Sequence, residues 1–468
     1  MHVLTMMRGW LPTMTTMAIV ATTTSLSAQA ADTDALLIRG AYVMTMDPAV
    51  GDLPIADVLV ERGRITDVGR DLAIPANTRV IAGGGRVVLP GFVDVHSHLW
   101  ITQLRGRYDN TQAGKFFPVT NRLGALYTPE DTRLGVRAGA IEGLSGGITT
   151  VVDFFDNVRD RSHADAALAG LRDAKVRGRM LYGAQSKTTP DRVDLPHLEA
   201  LHADLTRQDP GARLSVGLAW RLPPKLDDKQ AWTIKLEELA GARRLGVPVS
   251  VHLSGTGDQA IKMFDALIAR KLLGPDMQVV HATDARPDQL DALNRAGASL
   301  ALTPLTEQRV GYGLTRVSHF ARVKRQGLGI DGTALAGAAD MFGTMRLAAL
   351  TDTGAARDET AASPRRLLEL ATREGAISLG MGDDIGTVTK GKWADLQVID
   401  MRSMNLGPFI EQDPAALLVY SARPENVHTV LVGGQVVKDE GKMVGVDMTS
   451  LIEAIQASAR ALSARDKP

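Results

Sequence analysis

Between residues 92 and 331 the chain repeats one pattern, a short apolar run with strand character followed by a longer segment with helical character. Eight such runs can be counted, at 92–98, 148–155, 178–184, 214–220, 247–253, 277–282, 299–303 and 327–331. Helical segments separate most of them, for example Lys235–Arg244, Gly257–Arg270 and Arg286–Ala296. Short buried strands alternating with helices predict a parallel sheet, because a parallel strand can return only through a crossover. Eight units over about 290 residues predict an α/β fold of the (β/α)8 TIM-barrel type. The competing architecture is an open doubly wound sheet, which would carry a glycine-rich phosphate loop after its first strand. At that place this chain has His96-Ser97-His98.

The flanks read as β structure. Ala35–Met46, Asp57–Glu61 and Arg64–Val68 are short strands near the start, and Asp395–Asp400, Val427–Val432 and Gln435–Lys438 match them near the end. Gly433-Gly434 makes a hairpin turn between the last two. The expected organisation is therefore a composite β-sandwich from residues 31–89 and 385–446, a barrel over 90–384, and a C-terminal helix over 447–468. Residues 1–30 read as a secretory signal peptide cut after Ala30: Arg8, an apolar run from Trp10, then Ala28-Gln29-Ala30 as a small-x-small cleavage site. This predicts an exported, periplasmic protein with no membrane attachment after cleavage.

Composition narrows the chemistry. There are 53 Lys+Arg and 53 Asp+Glu, so no net charge offers a footprint for nucleic acid or an anionic membrane, and a small-molecule substrate is expected. The barrel's outer helices would support a homodimer. No cysteine is present, which excludes disulfides, iron–sulfur clusters, thiolate zinc sites and cysteine nucleophiles. Any catalytic group must use nitrogen or oxygen.

Strand ends supply such groups. His96 and His98, two apart on one strand, point to the same side. His252 ends the fifth strand, His281 the sixth, and Asp331 the eighth. Four of the chain's ten histidines thus fall at these ends. Imidazoles with a carboxylate suit zinc, iron or manganese.

The run Pro90-Gly91-Phe92-Val93-Asp94-Val95-His96-Ser97-His98 resembles the opening metal motif of the metal-dependent amidohydrolase superfamily. The resemblance extends through Ser145–Asp153 and Gly386–Leu396 to essentially the whole chain after the leader. Gln103-Leu104-Arg105-Gly106 and Asp340-Met341-Phe342 with Met345-Arg346 resemble its triazine hydrolase and aminohydrolase branch. The resemblance implies His96, His98 and His252 as ligands of one divalent metal, zinc first, with iron or manganese as alternatives. It implies Asp331 as a ligand that also takes the proton of the attacking water and passes it to the leaving nitrogen. It implies His281 as a catalytic group bonding the water or polarising the substrate. A divalent metal lowers the pKa of a bound water from about 15.7 to roughly 7.

Two positions set the expected subtype. Binuclear relatives place a carboxylated lysine or a carboxylate on strand four. Ser215–Arg221 offers neither, and Lys187, just past strand three, is the remaining candidate, so one metal is expected. Deaminases of the branch carry a Glu three residues after the fifth-strand histidine, where this chain has Gly255. Asp258 and Glu307 are candidate replacements. The missing Glu favours hydrolysis of an amide, carbamate or urea. The alternative is deamination of an aminated purine, pyrimidine or triazine, followed by a secreted dipeptidase or lactonase and, last, a non-catalytic scaffold. Trp100, Gln103, Phe155, Trp220 and Arg221 lie just past strand ends and are expected to line the substrate pocket with His281 and Glu307. Gly311-Tyr312-Gly313 predicts a mobile loop over the mouth. His319 is read as a surface residue of a helix over Arg316–Arg325, and His163, His197, His202 and His428 are given no role.

Overall fold

The computed structural model describes residues 35–184, 192–208, 213–255, 258–410 and 412–466. The segment read as a leader, residues 1–30, and Lys187 lie outside them. At the centre stand eight strands, each parallel to the next. They are β1 (Phe92–Ser97), β2 (Ile148–Phe155), β3 (Arg177–Tyr182), β4 (Leu214–Trp220), β5 (Val249–Leu253), β6 (Met277–His281), β7 (Ser299–Leu302) and β8 (Gln326–Leu328). All eight runs read from the sequence are strands. Alternation along them divides the core in two. Val93, Val95, Val152, Phe154, Leu181 and Val280 form one cluster inside the barrel. Phe92, Val151, Phe155, Trp220 and Val279 face the other way and pack in the large cluster shared with the helices.

Three of the connecting helices start at side-chain caps. Thr128, Asp160 and Asp228 each accept a hydrogen bond from the backbone N–H three residues on. The segment 316–325 is the exception to the reading: it makes only a 3-10 turn, Val317–Phe320. Asn294 bonds the carbonyl of Arg322 (2.8 Å) and the N–H of Lys324 (3.0 Å), groups that a longer helix would need for itself. His319 there is half-buried, with Nε2 2.8 Å from the carbonyl of Ala285.

The barrel closes at its mouth. The N–H of His98 donates to the carbonyl of Asp331 (2.8 Å) and the N–H of Asp331 to that of His96 (2.9 Å), while Ser97 and Asp331 form an isolated parallel bridge. Strand β8 ends at Leu328, so Asp331 belongs to the loop beyond it and is itself part of the closing stitch.

The chain ends build one hydrogen-bonded sheet of nine strands. Leu396–Asp400 pairs antiparallel with Arg86–Pro90, which joins the carboxyl-terminal strands to the amino-terminal ones in the middle of that sheet. Ile38, Val43, Val58, Val88, Leu396, Val398 and Leu431 form its own buried cluster. Residues Met448–Arg465 form a final helix, and Ser458 on it bonds Gln103 (3.3 Å) and Asp131 (2.6 Å) beneath the barrel mouth. No described helix is long and apolar enough to cross a membrane.

Candidate metal centre and active site

His96, His98, His252 and Asp331 converge at the carboxyl ends of β1 and β5 and on the closing loop, with one donor atom from each within 4.8 Å of the others. His252 Nε2 lies 3.2 Å from His96 Nε2 and 3.3 Å from His98 Nε2. Asp331 Oδ1 lies 3.2 Å from His96 Nε2 and 3.4 Å from His98 Nε2. Ligands about 2.1 Å from a common centre in tetrahedral directions stand about 3.4 Å apart. These four separations therefore match a single cation held at the middle.

The electrostatics agree. Burial pushes His96 down to about 4, although Asp331 pulls the other way. His252 falls well below its ordinary value through burial and the neighbouring His96 and His98. Both rings are neutral, the form that ligates metals. Burial would lower His98 too, but Asp156, Asp331 and Asp153 outweigh it and raise the ring to about 9. Between those acceptors a proton and a divalent cation compete for one place. Asp331 would be raised by burial, yet its bond to His96 and its electrostatic interactions with His281, His96 and His98 hold it well below the usual carboxylate range.

Carboxylates behind the ligands fix their orientation. Asp156 Oδ1 accepts from His98 Nδ1 (3.2 Å) and Trp100 Nε1 (2.9 Å), and its Oδ2 lies 3.2 Å from Arg221. Asp94 accepts from Ser97 Oγ (2.5 Å), the N–H of His96 (3.2 Å) and that of Ile330 (3.0 Å), so it braces β1 against the closing loop. Asp153 accepts the N–H of Leu99 (2.9 Å) at the turn after His98. Burial pushes both Asp94 and Asp153 up to about 7. His281 and Asp331 both sit in the left-handed backbone region, at φ 68° and 66°. Non-glycine residues held there cost on the order of 1–3 kcal/mol each, and here the strain aims two functional side chains.

A cavity of about 390 Å³ opens over the centre. His98, His252, His281 and Asp331 line its floor, and Asp156 with Arg221 one side. Phe116, Phe117, Met263, Val310 and Leu335 give it an apolar side, and Ser254, Gly255, Gln259 and Tyr312 a neutral polar one.

Five residues expected in the pocket do not line it: Phe155, Trp220, Trp100, Gln103 and Glu307. Phe155 faces the helices, and its neighbour Phe154 takes the inward place, its ring 4.2 Å from that of His252. The alternation of β2 could have given this, since Val152 and Phe154 share a face. Trp220 also faces outward and donates to the carbonyl of Lys235 (2.9 Å). Trp100 stands behind Asp156, and Gln103 is buried against Asp131, Tyr127 and Ser458. Arg221 and His281 do line the cavity. Neither candidate replacement for the acid missing at 255 faces it: Asp258 is exposed and paired with Lys262 (2.7 Å), and Glu307 is fully buried behind His281. Asp156 was missed in the sequence, where only its place one residue beyond β2 could have marked it.

Residues 87–437 match the profile of the amidohydrolase family. The chain belongs to the amidohydrolase family. This makes it a metal-dependent hydrolase acting on carbon–nitrogen bonds, with a divalent metal as cofactor and a small molecule as substrate. The amidohydrolase is 28% identical to a 5'-deoxyadenosine deaminase of Methanosarcina barkeri, over 92% of this chain and 99% of that protein. It is 27% identical to a 5-methylthioadenosine/S-adenosylhomocysteine deaminase of Nitratidesulfovibrio vulgaris, over 90% and 95% of the two chains. Its fold matches an adenosine deaminase from Xanthomonas campestris with bound zinc, at a TM-score of 0.79 and 24% identity over 92% and 98%. It matches the zinc complex of an atrazine chlorohydrolase from Arthrobacter aurescens equally, at 0.79 and 24% over 91% and 100%.

Because Asp156 holds His98 through Nδ1, Asp156→Asn in this amidohydrolase is expected to weaken metal binding about 10- to 100-fold. Titration of the metal-free protein with zinc against a competing chelator measures it.

Proposed function

We propose that this amidohydrolase holds one zinc ion on His96, His98, His252 and Asp331 and hydrolyses an amide, carbamate or urea of a small, flat, partly apolar molecule. When bound, the metal lowers the pKa of a water to roughly 7 and polarises the bond under attack. Asp331 takes the water's proton on its carboxylate, and His281 bonds the reacting group from the cavity floor. Arg221 is committed to Asp156, whose carbonyl (2.9 Å) and carboxylate (3.2 Å) it bonds. That pairing fits a substrate without a net charge, and the side formed by Phe116, Phe117 and Met263 fits an apolar arm.

One observation carries the choice of bond. Among the described residues that line the cavity, the only acids are Asp156 and Asp331. A carbonyl attacked directly needs no further acid at a ring nitrogen, whereas deamination of a heterocycle calls for one. Gly255 cannot simply receive that acid. Its φ is +141°, and a Cβ there would stand 2.7 Å from Gln259 Oε1. Gly255→Glu is therefore expected to lower the melting temperature and to give no gain in deamination.

The relatives favour the second reading, in which an aminated purine-like ring loses ammonia. A screen decides between them. Amine release from anilides, carbamates or ureas with no ammonia from adenosine-type nucleosides or aminotriazines is the expected result. Fast ring deamination by the wild type would replace the first reading by the second.

A further inference from the structure

Glu307 is completely buried one layer below the cavity floor, and its Oε1 is bonded to one ring of that floor. Its Oε1 lies 3.1 Å from His281 Nδ1 and accepts the N–H of Thr303 (3.0 Å) and the hydroxyl of Thr303 (3.3 Å). Its Oε2 accepts the hydroxyl of Thr315. Thr303 Oγ1 is also 3.1 Å from His281 Nδ1. The backbone closes the unit, since the N–H of Tyr312 donates to the carbonyl of Glu307 (2.8 Å) and the Tyr312 ring stands 5.6 Å from that of His281. A carboxylate can only accept, so the proton of a neutral His281 must lie on Nδ1. Nε2 is then left as the lone-pair atom, on a residue that lines the cavity.

We infer that Glu307 is a positioning residue that fixes the tautomer of His281 and makes that ring the carrier of a proton to the departing nitrogen. The inference rests on the hydrolytic reading above. Asp331 takes a proton from the water as the water's oxygen bonds to the carbonyl carbon. His281 Nε2 takes that proton from Asp331, and Glu307 stabilises the charge the ring gains. The carbon–nitrogen bond then breaks, its electron pair stays on nitrogen, and nitrogen takes the proton from Nε2. The products are the acid and the amine, and Asp331 and His281 return to their starting forms. A buried carboxylate supporting a histidine in this way follows the logic of hydrolytic triads. The surroundings leave few other carriers. Asp156 is committed to His98, Trp100 and Arg221, and the wall at Gly255 is neutral.

Two measurements test it. The first needs no substrate: nitrogen–proton correlation spectra of the zinc-loaded protein, with His281 assigned by the signal lost in His281→Asn. A proton on Nδ1 and none on Nε2, in both wild type and Glu307→Gln, is expected. The opposite tautomer in the wild type overturns the inference, even if no amide proves to be a substrate. The second uses N-butylacetamide, a poor leaving group, and p-nitroacetanilide, a good one. Glu307→Gln is expected to lose about 100-fold in kcat on the first and under roughly 5-fold on the second, with KM changed less than about 3-fold and Glu307→Asp recovering part of the loss. Equal losses on both substrates mark a merely structural residue and overturn the inference. So does the same leaving-group dependence in Tyr312→Phe, because the proton would then come from Tyr312. A wild type that cleaves neither amide refutes the hydrolytic reading, and the tautomer still decides the place of Glu307.

Discussion

Asp331→Asn is expected to lower kcat by about 10³- to 10⁴-fold while the protein stays folded. The loss is large because one carboxylate does three things. Its Oδ1 closes the ligand set with His96 and His98, at 3.2 and 3.4 Å. In the proposed reaction it takes the water's proton, which an amide cannot do. Its negative charge also draws a cation in among the surrounding imidazoles. The fold should survive because the structural work of Asp331 is done by its backbone, through the bonds to His96 and His98. Asparagine tolerates a φ of 66° better than most residues. A melting temperature within a few degrees of the wild type, beside the loss in kcat, checks both halves. A variant that keeps more than about a tenth of the wild-type kcat would remove Asp331 from the proton path.

Removing the metal is expected to have an effect of similar size. Chelation should take activity below about 1% of the starting value, and zinc should restore it. Metal held a thousandfold above its dissociation constant stabilises by about 4 kcal/mol, which in a chain of this size lowers the melting temperature by roughly 4–5 °C when it is withdrawn. The direction follows from burial. Without a cation, the buried rings of His96 and His252 and the Asp331 carboxylate face one another with lone pairs converging. Calorimetry of the metal-free and zinc-restored protein checks the shift, and an unchanged melting temperature would contradict a metal held by these buried groups.

The architecture was legible because it is written in period and length. Eight apolar runs spaced by helical segments leave few alternatives to a parallel barrel, and His96-Ser97-His98 marks its mouth. The ligand set is legible because its members stand at or just past the carboxyl ends of the first, fifth and eighth strands. The face that a side chain takes past a strand end is not legible in the same way. Phe155 and Trp220 are large aromatics at the right height, but alternation turns them toward the helices, and Phe154 takes the inner place. Trp100 and Gln103 lie two and five residues after His98, yet the 3-10 turn Leu99–Leu104 carries them under the site, where a helix from the far end of the chain meets Gln103. No local pattern predicts that meeting. The sequence alone places Glu307 among the pocket acids. It is a charged residue with no exposed surface, and only its bonds to His281, Thr303 and Thr315 reveal its work.

The most direct test of the account is metal content. Purified wild type, measured by inductively coupled plasma mass spectrometry, should carry one divalent metal per chain, and the His96→Ala/His252→Ala double variant close to none, with activity lost in step. Full activity in a wild type holding far less than one metal per chain, or an unchanged metal content in the double variant, would contradict the assignment of His96, His98, His252 and Asp331 as the metal centre.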